Sequence, residues 1–179
     1  TGFGIGTVIG NELNRGDNAC VETFCLPHKD SHDVIVEEGV AVRAVKRVYA
    51  DISGAKNHGL EPKDIFDIAE GKRPGNKEAA IQAFEKMGEV AGDAMATAVT
   101  LIDGLIVIGG GITAAKKYIM PGLLRSLRSK MHTFSGEELD RVQMKVYDLD
   151  NPDEFQAFLK GEQRTLKVYG TDMEVEYDP

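Results

Sequence analysis

Tryptophan is absent and cysteine nearly so: the 179 residues hold no Trp and two Cys, Cys20 and Cys25. Two cysteines cannot staple a small fold, so the chain must rest on a hydrophobic core, and a reduced, cytoplasmic setting is the expectation. Positive charge is also scarce. Lys and Arg number 21 against 29 Asp and Glu, a net charge of -8. That excludes a broad nucleic-acid surface, which needs clustered cations. It leaves room for a single phosphate held by backbone N–H groups. No apolar run approaches the roughly 18 residues that cross a bilayer, so no membrane partner is expected. What remains is ordinary: 42% hydrophobic and 28% charged residues, enough for one domain or one lobe of a two-lobed protein.

The elements follow from periodicity. Ile5, Val8 and Ile9 precede a Gly10-Asn11 turn, which predicts an opening β-hairpin. Residues 17–36 read as irregular. Ala41, Val45, Val48 and Ile52 line one face of a helix over 38–52, ended by Ser53-Gly54. Pro62 opens a short helix closed near Gly71. Ile81, Phe84, Met87, Ala91, Met95, Ala98 and Ile102 recur at helical spacing, so a long helix spans 76–102, with the small residues Gly88, Ala91, Gly92, Ala94, Ala96 and Ala98 allowing a close neighbour. Residues 105–108, Leu-Ile-Val-Ile, predict a strand buried on both faces. A helix over 114–131 with a kink expected at Pro121 follows, then a capping box at Ser135 and Glu138 for a short helix. Val142, Met144 and Val146 alternate as a strand. Asn151-Pro152 opens another helix, and residues 165–177 read as a hairpin around Gly170. This order predicts an α/β domain, a mixed sheet covered by helices.

Two glycine runs suit ligands. Thr1-Gly2-Phe3-Gly4-Ile5-Gly6-Thr7 places glycine at every second position, so one face is bare backbone. Exposed N–H groups and the Thr1 and Thr7 hydroxyls suit an anion. A Gly-rich hairpin without a ligand reads the same pattern. This is not the dinucleotide fingerprint, since a strand rather than a helix follows. Gly109-Gly110-Gly111 stands between the expected buried strand and the next helix, where a flat base or a phosphate can approach; a tight turn is the alternative. Cys20, Cys25, His28 and His32 form C-x4-C-x2-H-x3-H, a set zinc accepts. The spacing lacks a close Cys pair, and four unrelated loop residues is the simpler reading. Glu22, Glu37 and Glu38 could accept hydrogen bonds from sugar hydroxyls or simply be solvated.

These segments together resemble the C-terminal part of the ROK family (repressors, open reading frames and sugar kinases), which belongs to the actin-like, hexokinase-like ATPases. Residues 1–16, T-G-F-G-I-G-T-V-I-G-N-E-L-N-R-G, are similar to the family's phosphate hairpin. Residues 102–112, I-D-G-L-I-V-I-G-G-G-I, are similar to its adenosine-binding strand, with Gly104 in place of Pro. The resemblance spans roughly residues 1–148 and implies a ribonuclease H-like lobe that binds ATP and Mg2+. It places Thr1, Gly2, Gly4, Gly6 and Thr7 at the phosphates and Gly109, Gly110 and Gly111 at adenosine. Glu22 falls on the Glu of the family's sugar motif, and Glu37 or Glu38 on a second sugar carboxylate. Cys25 stands where the family has a His, and the family's Cys-rich zinc motif is absent.

The implied activity is ATP-dependent phosphorylation of a hexose or N-acyl hexosamine, glucokinase-like. The alternative is a sugar-sensing transcriptional repressor whose DNA-binding domain lies upstream. No catalytic residue is assigned here, because the family's base Asp precedes the phosphate hairpin. The chain is expected to be an ATP-lobe fragment, inactive alone, of a homo-oligomeric protein. Residues 1–150 would form the lobe, and 151–179 an added helix and hairpin of the same domain.

Overall fold

In a computed structural model of the protein, residues 2–20, 25–56 and 59–177 are described. The chain divides into two compact units, Thr1–Val142 and Gln143–Pro179.

In the first unit, β1 (Thr7–Ile9) and β2 (Glu12–Asn14) pair antiparallel with Val8 opposite Leu13. Gly10 and Asn11 turn between them at φ of 60° and 66°, the two-residue turn whose twist matches a hairpin. A second hairpin, β3 (Pro27–His28) with β4 (Ser31–Ile35), lies within the stretch expected to be irregular. Its strands are almost wholly exposed, so no apolar alternation marked them.

The helix expected over 38–52 is two helices, α1 (Glu37–Val40) and α2 (Val42–Ser53), with Ala41 extended between them at ψ 163°. Ala41 is nonetheless buried. An apolar periodicity therefore runs through a one-residue step without registering it. Gly54, left-handed at φ 72°, ends α2. Then α3 (Pro62–Ala69) begins on a capping box of Glu61 and Asp64 with Pro62 in its first turn. Asn76 caps α4 (Lys77–Ile102) by accepting the Ala79 N–H at 3.1 Å.

The core is the meeting of α2, α3 and α4. Val45, Ile65, Ile68, Ala69, Ala80 and Phe84 are all buried there. Phe66, Phe84 and Tyr118 gather with ring centroids 6.2–6.4 Å apart. The Tyr118 hydroxyl donates to the Ala69 carbonyl at 3.0 Å and lies 2.9 Å from Glu70 Oε1, so the residues that follow Gly109-Gly110-Gly111 are tied to the end of α3.

A short 3-10 helix (Gly111–Ala115) leads into α5 (Lys116–Leu127), which continues through Pro121 and lies against α4. Glycine sets their separation. A Cβ at Gly88 would overlap the Ile119 carbonyl oxygen, one at Gly92 that of Leu123, and one at Gly122 that of Glu85. Arg125 then reaches Glu85 at 2.6 Å and Glu89 at 2.9 Å, and the Ser126 hydroxyl donates to the Glu89 carbonyl at 2.9 Å.

Further expectations fail. Residues 105–108 form no ladder among the described residues, and Leu105 and Val107 are 75% and 85% exposed. A strand needs a partner for its N–H and C=O groups, and no other described segment supplies one. Residues after Leu127 turn into β5 (Lys130–His132), paired with β6 (Glu138–Asp140), instead of a longer helix and a capped one. Gly136 at φ 88° turns that chain, and the Thr133 hydroxyl, not Ser135, accepts the Glu137 N–H at 3.1 Å. Val142, Met144 and Val146 form no described strand. In place of one mixed sheet, the described strands make four two-stranded antiparallel ladders; the chain is still α/β.

In the second unit, Asn151 caps α6 (Pro152–Lys160) by accepting the Asp153 and Glu154 N–H groups. Tyr147 meets Phe158 edge to face at 5.7 Å. The closing hairpin pairs β7 (Arg164–Lys167) with β8 (Glu174–Tyr177) around Gly170.

Gly88→Ala or Gly122→Ala is expected to lower unfolding stability by about 1–3 kcal/mol or more, because the new methyl meets backbone that cannot move alone. Urea denaturation followed by circular dichroism measures it.

Candidate functional site

The glycine face expected at the start of the chain is present. Gly2, Gly4 and Gly6 are exposed, whereas Phe3 and Ile5 are half-buried and Thr7 is 6% exposed. Alternation directs the side chains inward and leaves backbone toward solvent. Phe3 anchors the segment: it packs against Val36, Val90 and Ala94, with Leu26 and Val40 beside it. Thr7 is buried, so its hydroxyl does not stand on the open face with the glycines. Thr1 and Glu22 lie outside the described residues.

Glu37 meets this segment. The Phe3 N–H donates to Glu37 Oε2 at 3.3 Å. A Cβ on Gly2 would sit 2.8 Å from the same oxygen, so a side chain there would push the carboxylate away. The other oxygen, Oε1, accepts Arg43 Nη2 at 2.9 Å. Glu38 faces elsewhere: it pairs with Arg43 at 2.6 Å and with Arg47 at 3.3 Å. Arg43 thus pairs with both carboxylates, one cation against two anions. Its hydrogen bond to Glu37, and after it the Phe3 amide, hold the Glu37 carboxyl below its ordinary value. Sequence reasoning does not single out Arg43. Its signal is positional: an arginine one helix turn and a half beyond paired glutamates, across a break that only the structure reveals.

The second glycine run is open. A Cβ at Gly109, Gly110 or Gly111 would meet nothing within 4 Å. Gly110 has φ 101°, a conformation that demands glycine. Gly109 and Gly111 carry no such demand and no protein packing against them. Thr113 closes the turn, its N–H and hydroxyl both donating to the Gly110 carbonyl, at 3.1 and 2.7 Å. Bare backbone beside open space is what a flat or anionic ligand needs.

The four zinc candidates are not brought together. Among the described residues no group of three or more His, Cys, Asp or Glu side chains is arranged to hold a metal ion. Cys20 and Cys25 are exposed. His28 serves the fold instead. Its Nδ1 accepts the Asp30 N–H at 3.1 Å, and its ring lies over Gly39, where a Cβ would be 2.6 Å from Nε2. His32 is exposed on β4. No helix among the described residues is long and apolar enough to cross a membrane.

Comparison with known proteins places this geometry. A model of the ROK family matches residues 1–149. No curated protein matches the chain. Among solved structures, the glucokinase from Parabacteroides distasonis aligns with 99% of this chain and 48% of its own, at 50% identity and TM-score 0.81. A ROK family glucokinase from Streptomyces griseus, in complex with glucose and AMPPNP, aligns with 72% of this chain and 47% of its own at 24% identity and TM-score 0.54. A ROK hexokinase from Thermus thermophilus aligns with 71% and 45%, at 20% identity and TM-score 0.54. The last two likenesses show the fold alone. The chain spans about half the length of each of these structures.

Because the folded-state pKa of Glu37 is depressed, its bond to Phe3 persists above the ordinary carboxylate range and is lost as pH falls through the lowered value. The Phe3 amide shift should therefore titrate with its midpoint below the ordinary glutamate value, as followed by NMR titration. Gly109→Ala and Gly111→Ala should leave stability within about 0.5 kcal/mol, whereas Gly110→Ala should lower it; thermal melts separate the three.

Proposed function

This chain belongs to the ROK family, and from that membership we propose that the protein containing it is an ATP-dependent sugar kinase acting on a hexose or N-acyl hexosamine. The observation that carries the reading is its likeness to a glucokinase along nearly its whole length. In this reading residues 1–150 form the ATP-binding lobe, of ribonuclease H-like topology, and 151–179 extend the same domain. The protein self-associates.

The roles are those the family resemblance implies, and the exposed glycine backbone supports them. The exposed backbone of Gly2, Gly4 and Gly6 receives the β- and γ-phosphates, with Thr1 completing the segment. The open face of Gly109, Gly110 and Gly111 receives adenosine, where any side chain would occupy the ligand's space. Glu22 and Glu37 orient sugar hydroxyls. Phosphoryl transfer of this kind depends on positioning and on electrostatic stabilisation more than on covalent help from the protein. The general base lies outside this chain. Mg2+ would arrive with the nucleotide and offset phosphate charge. It is usually held by one or two carboxylates, waters and phosphate oxygens, and no residue of this chain is assigned to it.

Cys25, at the position of the family's sugar-motif His, favours one other reading, a repressor that senses a sugar without phosphorylating it. A coupled assay for ADP release decides between them. The full-length protein is expected to release ADP with glucose or an N-acylated hexosamine, and the 179-residue chain alone is expected to release none. Sugar binding without ADP release by the full-length protein would establish the repressor reading. Gly109→Ala and Gly111→Ala are further expected to weaken AMPPNP binding about tenfold, equivalent to roughly 1.4 kcal/mol, measured by calorimetry.

A further inference from the structure

Glu37 sits where its charge conflicts with the ligand proposed beside it. A segment that receives phosphates through backbone N–H groups should present those donors to solvent. Here the Phe3 N–H is already given to Glu37 Oε2 at 3.3 Å. Gly2 lies so close that a single methyl would stand 2.8 Å from that oxygen. The carboxylate therefore lies on the segment much as an anionic ligand would. Two like charges cannot share so small a space without strong repulsion. Arg43, bonded to Oε1 at 2.9 Å, keeps the carboxylate ionised and draws it toward α2. Glu37 thus has one oxygen on the glycine segment and one on Arg43.

We propose that Glu37 is a positioning residue that couples the sugar to the nucleotide: it holds the Gly2–Phe3 backbone while sugar is absent and yields that backbone to phosphate when sugar hydroxyls engage it. The inference rests on the kinase reading above, in which Glu37 faces the sugar. Sugar hydroxyls donate to the carboxylate and compete with the Phe3 N–H for the same oxygen. Releasing the amide adds a donor for phosphate and removes the opposing charge from contact. Sugar binding then strengthens nucleotide binding, and by linkage the reverse holds equally.

The test is calorimetric titration of AMPPNP into the full-length protein, with and without saturating glucose. In the wild type, glucose is expected to tighten AMPPNP binding about tenfold. In Glu37→Gln, a neutral side chain of the same shape, AMPPNP without glucose is expected to bind about as tightly as it does to the glucose-loaded wild type. Glucose should then add less than about twofold. A residue that merely braced the segment would give the opposite sign, weaker AMPPNP binding in Glu37→Gln, and that result overturns the proposal. So does an unchanged response to glucose in the variant. If the wild type binds AMPPNP in neither condition, the nucleotide reading itself fails and the coupling falls with it. A second readout needs no variant: glucose should shift the Phe3 amide resonance of the wild type, and an unmoved resonance with glucose bound overturns the coupling.

Discussion

The close approach of α4 and α5 is the constraint on which the first unit depends. Gly88 and Gly92 on one helix and Gly122 on the other leave backbone facing backbone, at a separation that no side chain permits. Helices usually pack through side chains, with axes held apart by their bulk. Here the axes are drawn together, and the side chains that flank the glycines act across the seam instead. Arg125 reaches two glutamates of α4, and the Ser126 hydroxyl reaches an α4 carbonyl. Tyr118, in the first turn of α5, is carried into contact with Phe66 and Phe84 and bonds the end of α3. The seam therefore sets where α5 begins, and with it where Gly109, Gly110 and Gly111 are presented.

The same helix organises the other glycine segment. Val90 and Ala94 of α4 form the floor on which Val36 and Phe3 rest. One aromatic side chain thereby fixes a run that otherwise has little to pack. Gly39 lets His28 and Val90 close on α1, whose first residue is Glu37. The carboxylate that meets the Phe3 amide is held by the packing beneath it. Arg43 completes the arrangement from α2, after the extended step at Ala41. The site's electrostatics and its core are consequently one structure: moving α1 relative to α4 would separate Glu37 from the glycines.

An apolar segment without a partner gives the other view of the same physics. Residues 105–108 have the composition of a strand buried on both faces, and the described residues neither pair nor cover them. Composition reports what burial a segment can tolerate. Pairing depends on another strand being within reach. This chain covers 48%, 47% and 45% of the three aligned structures.

Much was legible without coordinates. Gly10-Asn11, Gly54, Pro62, Asn76 and Asn151 each mark an element boundary through local stereochemistry that needs no tertiary partner, and those boundaries are where the sequence puts them. Alternating glycines in residues 2–6 imply a bare face for the same reason. The long apolar stripe of α4 is set by helical geometry alone. What only the tertiary structure decided is how distant residues meet. Neither the break at Ala41 nor the exposed hairpin β3–β4 has a local signature. A chain of carboxylates and arginines does not state which pair will form. Glu37 rather than Glu38 touches the glycine segment because Phe3 is anchored on α4, and that contact between residues 34 apart arises from packing, which no local pattern encodes.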